Sequence, residues 1–211
     1  MQKIEKPKLS PLLKAEQCFE LLIREDSFIQ GMLFENVTIS SQLMDRLYIS
    51  KCHFKNVHFE PCQFDRMDLT DTVFENCELS HLKLMDGSIH RCEFKNCRLT
   101  GSDLSNCSIW HTTFLENTMQ YANFSYSKFK FVNFINNQMK NNSFNECQYK
   151  KVSYEECQLA ESEFINTSLA TLDFSSCDIQ QIIVPVENLR GLTVSSEQAV
   201  ALASLLGLKI V

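Results

Sequence analysis

From Phe34 to Val194 every fifth residue of the chain is apolar, an unbroken run of 33 positions drawn from Phe, Leu, Ile, Met, Tyr and Val. At an apolar content of 44%, chance would give such a run about once in 10¹² trials. Neither regular element accommodates a period of five. On an α-helix five residues advance about 500°, so the series would circle the axis instead of forming a stripe. On a flat strand each step would move to the opposite face. The period is met by a chain that runs two or three extended residues, turns a corner and repeats.

Residues stacked in successive coils should resemble one another, so the number of corners per coil can be read by sorting. Taken every twenty residues, the apolar positions give Phe34, Phe54, Phe74, Phe94, Phe114, Phe134, Tyr154 and Phe174, a core aromatic stack. The neighbouring column, Phe59, Leu79, Leu99, Met119, Met139 and Leu159, is aliphatic after its first member. Four corners therefore close one coil. The expected fold is all-β: a right-handed quadrilateral parallel β-helix of about eight coils, roughly 40 Å long at ~4.8 Å between strands, with a short C-terminal α-helix. The expected organisation is an N-terminal cap over 1–28, the β-helix over 29–194, and a C-terminal helix and tail over 195–211.

Such a chain turns often, yet it has only five Gly and four Pro. Two residues after each apolar centre the backbone must turn, often with positive φ, which Gly and Asn tolerate best. That slot holds Asn36, Asn56, Asn76, Asn96, Asn106, Asn136, Asn141 and Asn166, with Gly31, Gly101 and Gly191. Pro61 occupies the same slot and cannot take positive φ, so a different turn is expected there.

Nine of the ten cysteines fall two residues before an apolar centre. Thr72, Ser102, Thr112, Ala122, Ser127, Ser162 and Thr167 share the register, so it reads as an inward slot that needs a small residue. Only Cys92 and Cys97 have the C-x₂₋₄-C spacing of zinc sites, with no second such pair to complete four ligands, and side chains pointing in parallel in a reducing compartment argue against disulfides. Asn117 and Asn137, in the same inward column as Cys77, Cys97, Cys157 and Cys177, are expected to form a buried amide ladder. No metal, cofactor or catalytic residue is indicated. His53, His58, His81, His90 and His111 fall at outward or corner slots on differing faces, without a nucleophile and acid in register, and there is no Gly-rich phosphate loop. The N-terminus has no signal-peptide pattern and no stretch is long enough to span a membrane, which points to a cytoplasmic chain.

Both ends of a β-helix need covers. Ser195 and Gln198 form a capping-box pattern ahead of a short helix, Gly207 is a stop signal, and an apolar tail runs from Leu208 to Val211. Val200, Leu202, Ala203, Leu205, Leu206, Leu208 and Ile210 are the expected contacts of a two-fold homodimer joined through this end. At the other end, Ser10 as N-cap and Pro11 at the first helical position predict a short capping helix.

The pentapeptides CRLTG, SDLSN, ANFSY and LDFSS follow the A(D/N)LxG pattern, and the chain resembles the pentapeptide-repeat proteins over about four-fifths of its length. The closing stretch NLRGLTVSSEQAVALASLLGLKIV resembles the C-terminal helix and tail of the quinolone-resistance (Qnr) subgroup, most of all its chromosomal Gram-positive members. The resemblance implies a cytosolic bacterial homodimer, a rod about as wide as duplex DNA that mimics DNA, binds DNA gyrase and topoisomerase IV, and protects them from quinolones. Loops that interrupt the repeat in many Gram-negative members have no counterpart between Phe34 and Val194.

The net charge of −6 disfavours direct nucleic-acid binding, and no membrane or small-molecule partner is indicated. Glu60, Asp65, Asp68, Asp71, Glu75 and Glu78 read as outward or corner acids able to face a basic DNA groove, with a second group at Glu155, Glu156, Glu161 and Glu163. One column runs the other way: Trp110, Lys130 and Lys150, with Lys128 and Lys151 beside it and a cation–π contact expected between Lys130 and Trp110. Tyr121, Tyr126 and Phe131, on three successive corners of one coil, complete the candidate contact surface. The alternative function is a generic pentapeptide-repeat scaffold for another cytosolic protein.

Overall fold

The chain, as a computed structural model, is described over residues 4–25 and 27–208. Every strand pairing in the coil body links residues twenty apart and parallel, so each turn consists of four five-residue sides. Face 1 carries the aromatic column, on strands Met32–Glu35, His53–Lys55, Val73–Glu75 and Glu93–Lys95. Face 2 begins at Thr38–Ile39 and face 3 at Leu43–Asp45, and both continue upward mostly as single bridges, from His58–Glu78 and Gln63–Lys83. Face 4 holds Phe28–Gln30, Tyr48–Ser50, Asp68–Thr70 and Ser88–His90. From the fifth coil faces 4 and 1 share eight-residue strands, Ser108–Leu115, Lys128–Ile135 and Gln148–Glu155. About seven turns result, the number of steps between the eight centres Phe34 and Phe174.

The aromatic column stacks nearly face to face from Phe34 through Tyr154, with ring centroids 4.7–5.0 Å apart. The last step changes geometry, Phe174 standing edge-on to Tyr154 at 5.3 Å. A second, shorter stack of Phe124, Phe144 and Phe164 faces the first across the interior, at 5.1 Å per step and edge-on to Phe114 and Phe134. Offset and edge-to-face pairs of this kind add about 0.5–1.5 kcal/mol each beyond area burial.

The corners are left-handed. Among the described residues twenty-six non-glycine residues have positive φ, every Asn named above for the corner slot being one of them. Each such conformation costs about 1–2 kcal/mol in an isolated chain. Here the corner N–H is drawn into a bond one coil up, as from Asn36 to Lys55 O at 3.0 Å and from Asn56 to Glu75 O at 2.9 Å. The side chains repeat the step: Asn56, Asn76 and Asn96 each donate Nδ2 to the Asn Oδ1 below, at 2.8–3.1 Å. Pro61 is outside the positive-φ set, as its ring requires.

The inward slot has a second requirement beside smallness. Cys77, Cys97, Asn117, Asn137 and Cys157 each donate to the backbone carbonyl of residue i−23, which is in turn Phe54, Phe74, Phe94, Phe114 and Phe134, at 2.8–3.5 Å. Cys107, Ser127, Cys147, Ser162 and Thr167 do the same for Leu84, Leu104, Phe124, Met139 and Phe144. A buried carbonyl without a partner is costly, so the slot selects small side chains that can donate. The expected amide ladder is present, Asn117 Nδ2 reaching Asn137 Oδ1 at 3.0 Å.

The N-terminal helix lies later than Ser10 and Pro11 predict. Ser10 Oγ donates to Leu12 O in a local turn, Lys14–Glu16 instead adds a parallel strand beside Met32–Phe34, and the helix spans Phe19–Glu25. The edge of the first coil offers unpaired backbone groups, and pairing with them outweighs the local capping signal. Phe19 is fully buried by this arrangement and meets Phe34 edge-on at 5.5 Å.

At the other end Ser195 caps the helix Ser196–Ala203 through a complete capping box with Gln198. Gln198 Nε2 also donates to the carbonyls of Phe174 and Cys177, at 2.9 and 2.7 Å. Gln198 thus supplies the donor that the inward slot supplies in lower coils. No helix among the described residues is long and apolar enough to cross a membrane.

Candidate partner-binding surfaces

The six acids between Glu60 and Glu78 do not make one patch. They wind around the rod with the chain: Glu60 and Glu78 on face 2, Asp65 on face 3, Asp68 on face 4, Asp71 at the 4–1 corner and Glu75 on face 1. Asp71 takes a corner position, as its register predicts, yet is only 3% exposed. Arg91, in the same corner one coil up, holds it with two bonds of 2.7 and 2.9 Å, and Lys8 N–H adds a third. Burial pushes the Asp71 carboxyl up, but Arg91 and the Lys8 N–H outweigh it and hold it below its ordinary value. It is a structural ion pair. Glu75 is also engaged, with His53 at 3.4 Å and Lys95 at 3.7 Å. On that column Glu35, Lys55, Glu75 and Lys95 alternate in sign, Lys55 meeting Glu35 at 2.7 Å. Glu78 pairs with Arg98 at 3.5 Å, and Glu60 accepts from Ser41 N–H at 3.1 Å. Asp65 accepts from Gln63 Nε2 at 2.8 Å.

The second acidic group is similarly spread, with Glu155 on face 1, Glu156 and Glu161 at the two edges of face 2, and Glu163 on face 3.

The basic column is assembled as its spacing predicts. Trp110, Lys130 and Lys150 are consecutive rungs in parallel register, and Lys130 Nζ lies 5.5 Å from the centre of the Trp110 ring. At the adjoining 4–1 corner Phe131 stacks on His111 at 4.7 Å and carries Lys151 Nζ at 4.9 Å. Cation–π contacts at exposed sites contribute about 0.5–1 kcal/mol each. His90, on face 4, and His111, at the 4–1 corner, are not on separate faces as expected, their ring centres lying 5.9 Å apart. Burial, and then the nearby Arg91 and His111, lower the His90 pKa. Tyr121 and Tyr126, at 63% and 57% exposed, occupy the two edges of face 3 with φ of 58° and 64°. Phe131 is half-buried, packed as described, so the three corner aromatics do not form one surface.

At the C-terminal end Leu202 packs on the core while Val200, Leu205, Leu206 and Leu208 remain exposed and Ala203 is half-buried. Beside them an apolar groove of about 380 Å³ is lined by Val186, Leu189, Leu192, Val194, Leu202 and Leu206, among others. Ile210 lies outside the described residues. Among the described residues no group of three or more His, Cys, Asp or Glu side chains is placed to hold a metal ion. All ten cysteines are free. Burial pushes the Cys52 thiol up to about 11 and those of Cys92, Cys107 and Cys147 up to about 12, far from the low values of reactive thiols.

A family model described as a pentapeptide repeat region matches residues 67–141 and 87–164. Among solved structures, two trypsin-treated variants of QnrB1, a plasmid-mediated fluoroquinolone resistance protein, are similar in fold. One is 21% identical with a TM-score of 0.52, covering 88% of this chain and 94% of that one. The other, also 21% identical, has a TM-score of 0.50 and covers 87% and 93%. No curated protein matches the chain.

Proposed function

This chain is a pentapeptide-repeat protein, and from that premise we propose that it is a homodimeric, DNA-mimicking rod that binds the type II topoisomerases DNA gyrase and topoisomerase IV and protects them from quinolones. The observation that carries the reading is the fold likeness to fluoroquinolone resistance proteins across nearly the whole of both chains. The C-terminal end supports it: it presents Val200, Leu205, Leu206 and Leu208 to solvent, an apolar surface suited to a second copy. The reading is one of binding and not catalysis, supported by the acids Asp71, Glu75 and Glu78 being held in structural ion pairs with Arg91, Lys95 and Arg98.

Supercoiling by purified gyrase at an inhibitory quinolone concentration tests the reading. Titrating in the protein should restore supercoiled product; failure to restore it at any ratio, for gyrase and for topoisomerase IV decatenation alike, rejects protection. The dimer has its own test, because Val200 and Leu206 are exposed in the protomer and can be changed without opening the core. Light scattering should give twice 24.4 kDa for the native protein and 24.4 kDa for V200E/L206E. A native protein that runs as a monomer removes the dimer from the proposal.

One observation favours the alternative, a scaffold for a different protein partner. The acids are distributed around all four faces and several are neutralised in place, so no face presents the long uniform negative stripe that close mimicry of DNA would use. No effect on gyrase or topoisomerase IV would move the function there, whereas inhibition of supercoiling without rescue would mean that the rod competes with DNA without protecting the enzyme.

A further inference from the structure

The N-terminal segment shows what kind of ligand the 4–1 corner accepts. It leaves the rung Lys14–Glu16, where Lys14 N–H donates to Gly31 O at 2.9 Å, and then lies along the rod, crossing the turns: Lys8 N–H donates to Asp71 Oδ1 at 3.0 Å and Glu5 N–H to His111 Nδ1 at 3.2 Å. Gly31, Asp71 and His111 belong to one corner column, each forty residues, or two coils, from the next. Two coils rise ~9.6 Å, and three extended residues span about 10 Å. From Lys8 to Glu5 an extended strap therefore keeps pace with the corner, three residues for two coils. It brings a carboxylate, that of Glu5, into the field of Arg91 and His90.

Above His111 the same corner column continues to Phe131 and Lys151, and the adjoining face-4 column to Lys130 and Lys150. Lys128 stands on the other side of that column. None of these four lysines takes part in an ion pair among the described residues. Their neighbours on face 4, Ser108, Gln148 and Ser168, are neutral. Trp110 is 44% exposed. On a chain of net charge −6 this is a concentrated cationic and aromatic strip, in line with a corner already shown to hold an extended polypeptide.

We propose that the strip of Trp110, Lys128, Lys130, Phe131, Lys150 and Lys151 is a docking surface for an extended acidic segment of a partner protein, laid along the rod axis in continuation of the N-terminal strap. Alternate carboxylates of the segment pair with the lysine column, and interleaved aromatic side chains stack on Trp110 and Phe131. The proposal deepens the binding-rod reading by naming a partner chemistry for a face that a DNA mimic would not use, and its test needs no topoisomerase, so the two readings fail separately.

The chain has one tryptophan, and it sits on the strip, so its emission reports occupancy. The probe is the dodecapeptide (Glu-Glu-Phe)₄, titrated into full-length protein at low salt, with (Lys-Lys-Phe)₄ and a twelve-residue oligothymidylate in parallel. The acidic peptide is expected to shift Trp110 emission saturably, with affinity falling at least tenfold in K130E/K150E and remaining within twofold in K83E/K140E, whose lysines lie on faces 3 and 2. Circular dichroism verifies that each variant is folded, and K130Q/K150Q serves if the charge reversal is not. Absence of saturable binding, or binding that ignores the change at Lys130 and Lys150, overturns the proposal. Equal or tighter binding of the oligothymidylate overturns it in favour of single-stranded nucleic acid.

Discussion

Phe114→Ala is expected to lower the stability of the protein by about 3–5 kcal/mol and to move the urea midpoint sharply down. The ring is fully buried, stacked at 5.0 Å on both Phe94 and Phe134 and met edge-on by Phe124 at 6.1 Å. Its removal opens a hole in a square interior whose walls are fixed by strand pairing twenty residues up and down, so the site collapses little. Whole domains are stable by only about 5–15 kcal/mol, which makes this a large fraction. Tyr121→Ala, at an exposed corner with the same number of ring atoms lost, should change stability by about 0.5 kcal/mol or less. Denaturation curves of the two variants check the contrast, and equal shifts would mean that the interior is not packed as described.

Alkaline pH should unfold the protein through its thiols. Burial raises the folded-state values of Cys52 to about 11 and of Cys92, Cys107 and Cys147 to about 12, from an ordinary value of 9.0. A group whose pKa is higher folded than unfolded contributes stability that is intact below the unfolded value and is lost as pH rises through the folded one. The window therefore opens near pH 9 and extends to about 11–12. Within it each thiol removes up to about 1.4 kcal/mol per pH unit, and the buried phenols of Tyr149 and Tyr154, pushed well above their ordinary value by burial, act in the same direction. Urea midpoints should be level from pH 7 to 9 and fall steeply beyond. Cys107→Ser keeps the bond to the Leu84 carbonyl, as Ser127 does for Leu104 at 2.9 Å, but removes the titrating proton. Its midpoint should decline less steeply than that of the native protein. A profile that stays level to pH 11 would refute the assignment.

The coil, its four corners, the aromatic stack and the C-terminal capping box are all legible in the sequence, because each depends on residues at fixed short spacings whose side chains have few alternatives. The N-terminal start was not. Ser10 and Pro11 are good local helix signals, while the pairing of Lys14–Glu16 with Met32–Phe34 depends on a sheet edge that exists only after the coil has formed. The acids divide in the same way. Their outward or corner register is legible for all six, but the burial of Asp71 in an ion pair is not, because its signal, Arg91 twenty residues on, appears only when charges are sorted by the coil length, as the apolar residues are. The same sorting reveals the alternation of Glu35, Lys55, Glu75 and Lys95. It would have shown that the run from Glu60 to Glu78, contiguous in sequence, is dispersed around the rod. The inward cysteines were legible as small residues. Their role as donors to a carbonyl 23 residues earlier is a three-dimensional relation with no local trace.

The twenty-residue ties also make the molecule a graduated gauge. Side-chain columns, corner bonds and the inward donors all connect one turn to the next and nothing farther, so above His111, where the N-terminal strap makes its last described bond, a whole turn can be gained or lost with every surviving tie intact, whereas a five-residue change would set phenylalanines against the aliphatic column. Length can therefore change in increments of ~4.8 Å while cross-section stays constant. The separation between the lysine strip and the C-terminal end is fixed by counting turns, and a partner that grips both places would read that count as a distance.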